Sequence, residues 1–245
     1  MILRNAIWPC IKDSTEHLRR YRDAGAPTEV VPGLNFSIIL GSACLLEGVL
    51  EASLRALLEL RRSTYSTLEI PDFETRRSKN TYYSRLEEDL DARIGRSLGA
   101  AGYDDLFMLV AGERLSQMKH VAPCWESITT LFNFRNVLGH GRQISARRRA
   151  ARTEYPDEGG FHVLSWIDEF SGSYRVVESY LKKRKLLSSS FVDGSAPYLY
   201  LTNAVADHFL DVALGVAKTI SESLTGAEKL AHDAAFAWPP EGKSA

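Results

Sequence analysis

The sequence predicts a mainly α protein, a helical bundle with a loop or β-hairpin insertion ahead of its last long helix. Two observations lead there. Apolar residues recur at three- and four-residue steps through most of the chain, the spacing of helices with one buried face. Between Gly141 and Ala196 that texture breaks down into an arginine cluster, Pro156, the Gly159-Gly160 pair and a serine run.

Taken in order, Asp13 is a capping residue with Glu16 three positions on, and Leu18 and Tyr21 follow at helical spacing, so a short peripheral helix is expected to end near Gly25. Pro27 and Pro32 mark a linker. From about Gly33 to Arg62 runs the strongest helical pattern, with Leu45, Leu46, Val49, Leu50, Leu54, Leu57 and Leu58 along one side. This is the expected central helix of the core. Its most apolar part, Leu34 to Leu46, is interrupted by Asn35, Ser37 and Ser42 and is too short to span a bilayer.

Arg61 to Lys79 is polar, contains Pro71 and reads as a loop. A helix is expected from Asn80 to Leu98 on Tyr82, Leu86, Leu90 and Ile94, and another from Tyr103 to Gln117. Pro123 suits a first helical position, and Trp125, Ile128, Leu131, Phe132 and Phe134 anchor the helix that follows to about Leu138. Gln143 to Thr153 reads as a loop, and a hairpin is expected from Phe161–Ile167 and Ser173–Tyr180 around Gly172. Thr202-Asn203 can cap the last long helix, which carries Val205, Phe209, Leu210, Ala213, Val216 and Ile220 to Gly226. The chain is read as one domain over 1–245, with a core of about 33–142 and 199–226, an insertion of about 143–196 and a frayed tail from about 239.

At 245 residues with 44% hydrophobic content the chain can bury a sizeable core. A formal net charge of −1 gives no global pull on a polyanion, so any nucleic-acid site must come from local charge segregation. Cys10, Cys44 and Cys124 are odd in number and widely spaced, which argues against a disulfide framework or a cysteine-based metal site. Nothing at the start resembles a secretory signal, and a cytoplasmic protein without membrane attachment is expected. His17, His120, His162, His208 and His232 show no ligand spacing, so neither a metal nor another cofactor is expected.

The chemistry gathers at Arg135-Asn136-Val137-Leu138-Gly139-His140-Gly141. Asn136 and His140, four apart, share a helix face, so the amide could orient the imidazole. Arg135 and His140 are about 140° apart on an ideal helix and converge only if the helix ends between them, which Gly139 and Gly141 permit. Arginine and histidine near a helix end also complement its dipole, so the group could equally be a helix stop.

Arg135-Asn136-x-x-x-His140-Gly141 resembles the signature of HEPN domains, helical bundles marked by an arginine, a few residues and a histidine. The resemblance implies a metal-independent endoribonuclease acting as a toxin or phage-defence effector. It also implies a homodimer in which two copies of Arg135, Asn136 and His140 line one cleft, with an antitoxin or other inhibitor protein as a further partner. Some members of that family only bind, so a non-catalytic module for RNA, a nucleotide or a partner protein is the alternative. By the same resemblance Glu47 and Glu51, on the central helix, are candidates to hold Arg135; at helix spacing, and with Arg55 a turn beyond Glu51, they also read as a surface stripe. Arg142, Arg147, Arg148, Arg149 and Arg152, free of acidic neighbours, form the candidate approach for an RNA backbone, or a solvated loop that could grip an acidic protein.

Overall fold

The computed structural model describes residues 7–67, 73–94, 98–139, 146–153, 163–170, 172–187 and 200–236, with the two strands given by their backbone. It is predominantly helical. The order is α1 (Ile7–Asp23), α2 (Val31–Thr67), α3 (Phe73–Ile94), α4 (Ala100–Ala111), a 3-10 turn (Ala122–Cys124), α5 (Trp125–Gly139), β1 (Ala146–Thr153), β2 (Val163–Phe170), α6 (Ser173–Lys183), α7 (Asn203–Ser223) and α8 (Gly226–Phe236).

α2 is the mast against which α1, α3, α4, α5, α7 and α8 pack. At 37 residues it is about 55 Å long. Ile38, Ile39, Leu45, Leu46, Val49, Leu50 and Leu54 along it are fully enclosed. Residues 31–64 form a helix long and apolar enough by composition to cross a membrane, which the interruptions in 34–46 did not suggest; half of its apolar window is buried inside the structure.

The expected loop at Arg61–Lys79 is largely helix. α2 continues to Thr67 and α3 starts at Phe73, because polar residues alone do not end a helix. Arg61 pairs with Glu228 of α8 at 2.5 Å and Arg62 with Glu87 of α3 at 3.4 Å, so the polar turns are held on the surface of the bundle. Residues 68–72, with Pro71, lie outside the described residues.

α4 is shorter than expected. Gly112, at φ 81°, takes the left-handed cap conformation and donates its N–H to the Met108 carbonyl. Asp104 then staples the following loop, accepting from the Ser116 backbone N–H at 2.8 Å and the Ser116 hydroxyl at 3.0 Å. Leu115, Met118 and Val121 of that loop fill the core.

α1 is not peripheral. Buried Arg22 donates to Asn35 of α2 at 2.9 Å and to Asp207 of α7 at 2.7 Å, and Asn35 donates onward to the Leu201 carbonyl and Asn203. Burial opposes the charge on Arg22, but Asp207 and Asp23 outweigh it and hold the guanidinium above its ordinary value. A Cβ at Gly41 would sit 2.4 Å from the Thr15 hydroxyl, so only glycine lets α1 approach α2 this closely.

The region read as an insertion divides. β1 and β2 pair antiparallel with Ala146 opposite Phe170 and Thr153 opposite Val163, so the arginine stretch read as a loop is partly a strand. The hairpin expected around Gly172 does not form, because Ser173–Lys183 is the helix α6. Tyr174, Val177, Tyr180 and Leu181 have helical rather than alternating spacing, and their burial puts α6 in the main core against α5. α7 starts where Thr202 accepts the Val205 N–H at 3.3 Å. α8 then packs on α2, burying His232 and Ala235 and setting Phe236 edge-on to Trp8. The tail from 239 lies outside the described residues.

Candidate functional site

α5 carries the candidate motif on a firmly held scaffold. Ile128, Leu131, Phe132 and Phe134 are buried; Phe134 meets Phe209 of α7 edge to face at 5.8 Å between ring centroids, and Phe132 lies against Tyr103 of α4. Gly139 is the last described residue of the helix, and its φ is not in the left-handed region; Gly141, the other glycine of the expected break, lies outside the described residues.

Arg135 sits where α5 meets α2. One terminal nitrogen donates to the Glu47 carboxylate. Its Nε and other terminal nitrogen donate to the Asn136 side-chain oxygen at 3.3 and 3.0 Å, and its plane lies over the Phe132 ring at 5.4 Å. Only 14% of the Arg135 side chain and 26% of the Glu47 side chain are exposed, so the pair fixes the guanidinium at the rim of the core. Burial lowers the Arg135 pKa from its ordinary value, but arginine stays charged throughout the physiological range. Cys44, one turn before Glu47 on α2, is exposed beside this pair.

Glu51 does not join them. Its carboxylate accepts from Arg55 at 2.9 Å, and Arg55 also reaches Asp91 of α3 at 2.6 Å, so this part of the acidic stripe is a surface network. Asn136 uses its oxygen on Arg135. His140, Gly141 and Arg142 lie outside the described residues, and with them the expected contact of Asn136 with the imidazole. Arg147, Arg148, Arg149 and Arg152 are on β1, in register with Glu169, Asp168, Ile167 and Leu164 of β2. Two of the four thus stand opposite an acidic position, which supplies a pairing reason for their charge beside any nucleic-acid one.

Comparison with protein-family models, with curated proteins and with solved structures finds no match.

A second feature of α5 is not announced by any motif in the sequence. Between α5 and α6 lies an open cleft of about 730 Å³ lined by Trp125, Thr129, Arg175, Val176, Tyr180 and Lys183, among others. That size lies within the ~300–1,000 Å³ range of ligand sites. Its floor is a hydrogen-bonded chain: the Tyr180 hydroxyl is 2.6 Å from the Ser127 hydroxyl and 2.6 Å from His208 Nε2. Burial, with help from the Arg184 charge, lowers the His208 pKa against the opposing pull of Asp211. In the sequence Trp125 reads only as a core anchor and Ser173–Tyr180 as a strand, which leaves no helix to face it. The helical spacing of Tyr174, Val177 and Leu181 was the signal that could have revealed the cleft. Among the described residues no group of three His, Cys, Asp or Glu side chains is arranged to hold a metal ion.

Proposed function

We propose that this chain is a HEPN-type, metal-independent endoribonuclease, a toxin or phage-defence effector whose site forms from two copies of Arg135, Asn136 and His140. The observation that carries the reading is the anchoring of Arg135 by Glu47 from α2 and Asn136 from α5, five residues before His140. A pre-aimed guanidinium of this kind can bind a phosphate and stabilise the charge that builds on its oxygens.

In the proposed reaction the RNA 2′-oxygen attacks the adjacent phosphorus and the bond to the 5′-oxygen breaks, leaving a cyclic phosphate. His140 of one copy accepts the 2′-proton, and His140 of a second copy protonates the departing 5′-oxygen, roles that suit an imidazole near neutral pH. The two oxygens lie on opposite sides of an in-line displacement, so one histidine does not reach both. A two-fold dimer places the same patch of each copy face to face and supplies the second. In the cell an antitoxin or other inhibitor would cover the cleft.

The second reading, a non-catalytic HEPN module that binds RNA, a nucleotide or a partner protein, draws on the same contacts. Three of the guanidinium nitrogens already have protein acceptors, as in an arginine that only joins two helices. Incubation of purified protein with total RNA in chelator separates the two. The ribonuclease reading expects fragments from the wild type and none from His140→Ala or Arg135→Ala, with melting curves showing both variants folded. Intact RNA with the wild type favours the binding module, and equal cleavage by His140→Ala removes His140 from the proposed site.

A further inference from the structure

The α5–α6 cleft combines what a single nucleotide needs. Trp125 supplies an aromatic wall and Val176, 45% exposed, an apolar one. The Thr129 and Ser179 hydroxyls line the cleft with no hydrogen-bond partner among the described residues, and Arg175 has no carboxylate partner there either. Lys183 stands at the other end, 2.9 and 3.0 Å from the two Glu126 oxygens. That pair is on the surface, where ion pairs contribute at most about 1 kcal/mol, so a phosphate can exchange for the carboxylate.

The cleft also has a direction. Lys183 meets Glu126 and Tyr180 meets Ser127 at the start of α5, while Tyr174 meets Tyr200 just before α7. α7 itself runs opposite to α5, since Phe209 packs on Phe134 and Ser223 accepts the His120 N–H. α6 therefore runs back along α5, and its first turn, with Arg175, lies toward the α5 C-terminus. Asn136 is eleven residues after Trp125, roughly 16 Å along an ideal helix and about 20° from it around the axis. The cleft opens along the stripe of α5 that leads to Asn136, whose side-chain oxygen holds Arg135 about 100° further round, on the α2 side.

We propose that this cleft is a nucleotide subsite for an unpaired strand, holding a base against Trp125 and the adjoining phosphate at Arg175, and leading that strand along α5 toward Asn136. The assignment of the ligand to a strand rests on the ribonuclease reading; the recognition of a base with its phosphate does not. A stacked base needs an exposed face, which a duplex does not offer. Stacking on an aromatic side chain is tolerant of sequence, so the subsite selects single strands rather than a particular base.

The test is fluorescence anisotropy with a labelled short single-stranded RNA whose 2′-hydroxyls are methylated, so that cleavage does not intervene. Trp125→Ala and Arg175→Glu should each weaken binding roughly tenfold or more. Arg19→Ala, which breaks a surface pair with Asp211 on the α1 side, should not. Should Trp125→Ala fail to fold, Arg175→Glu at its exposed position carries the test. Weak binding of a duplex of the same sequence supports the proposal, and equal binding overturns it. Unchanged affinity in Arg175→Glu also overturns it. Competition by adenosine monophosphate at matching concentrations keeps the base-and-phosphate chemistry but overturns the strand assignment. If His140→Ala still cleaves RNA while strand binding depends on Arg175, the ribonuclease site is wrong and the subsite stands.

Discussion

The two sides of α5 differ in what they leave unpaired. Where α5 meets α2, the Arg135 guanidinium is closed in by Glu47, Asn136 and the Phe132 ring. Where it meets α6, Thr129, Ser179 and Arg175 face an open cleft without partners among the described residues. A paired charge at the rim of a core fixes a geometry and can act only on a ligand brought to it. Unpaired polar groups around an aromatic wall are free to bind one. A helix locked on one side and open on the other has the arrangement expected of a site with a rigid reacting group and a separate handle for its substrate.

The largest effect on both sides of α5 is expected from removing their shared anchor. Phe134 is buried against Phe209 behind both sides, so Phe134→Ala should lower stability by roughly 3–5 kcal/mol in urea titrations. Leu46→Ala on α2 should cost about 2–5 kcal/mol for the same reason. A loss below about 1 kcal/mol at either position would contradict this packing.

Next comes the locked side. Glu47→Ala leaves a largely enclosed guanidinium without its carboxylate and should destabilise by about 1–3 kcal/mol. A double-mutant cycle with Arg135→Ala should show coupling of roughly 0.5–3 kcal/mol, and strict additivity would mean that the pair is not made in solution. On the open side, Arg175→Ala should change stability by less than about 0.5 kcal/mol, since its side chain is exposed and has no carboxylate partner among the described residues.

Half-buried His208 and buried His232 make the stability of the fold depend on pH. His208 beneath the cleft and His232 in α8 both have pKa values lowered mainly by burial, so the fold favours their neutral forms. The unfolded chain therefore binds more protons than the folded one once pH falls below the ordinary histidine value of about 6.5. Their contribution is complete above that value and declines as pH falls through it toward the lowered folded values. Melting temperature should drop between pH 7 and pH 5, and His232→Leu should flatten that slope. A slope unaltered in that variant would assign the acid sensitivity to other groups.

Much of this architecture could be read from periodicity. α2, α5 and α7 each bury a broad apolar face, and their spacing located them to within a few residues. The continuation of α2 through Arg61–Thr67 could not be read that way, because its partners are ion pairs with distant helices. The same holds for α1, whose attachment depends on a buried arginine meeting Asn35 and Asp207, residues far apart in the chain. At the candidate site, the family resemblance offers both Glu47 and Glu51 as candidates to hold Arg135, and Glu47 is the one that meets it. Glu51, one turn on, has the same sequence character but faces Arg55 and α3, and only tertiary packing separates the two. The cleft is not legible because residues 173–180, next to Gly172, fit the period of a strand loosely as well as that of the helix they form.

The most direct test of the central claim is the chemistry of the cut ends on a defined RNA digested in chelator. The proposed mechanism predicts a cyclic phosphate on one fragment and a free 5′-hydroxyl on the other, with cleavage blocked by a single 2′-deoxy substitution just before the cut. Fragments carrying a 5′-phosphate, or cleavage unaffected by that substitution, would contradict attack by the 2′-oxygen and with it the proposed role of His140.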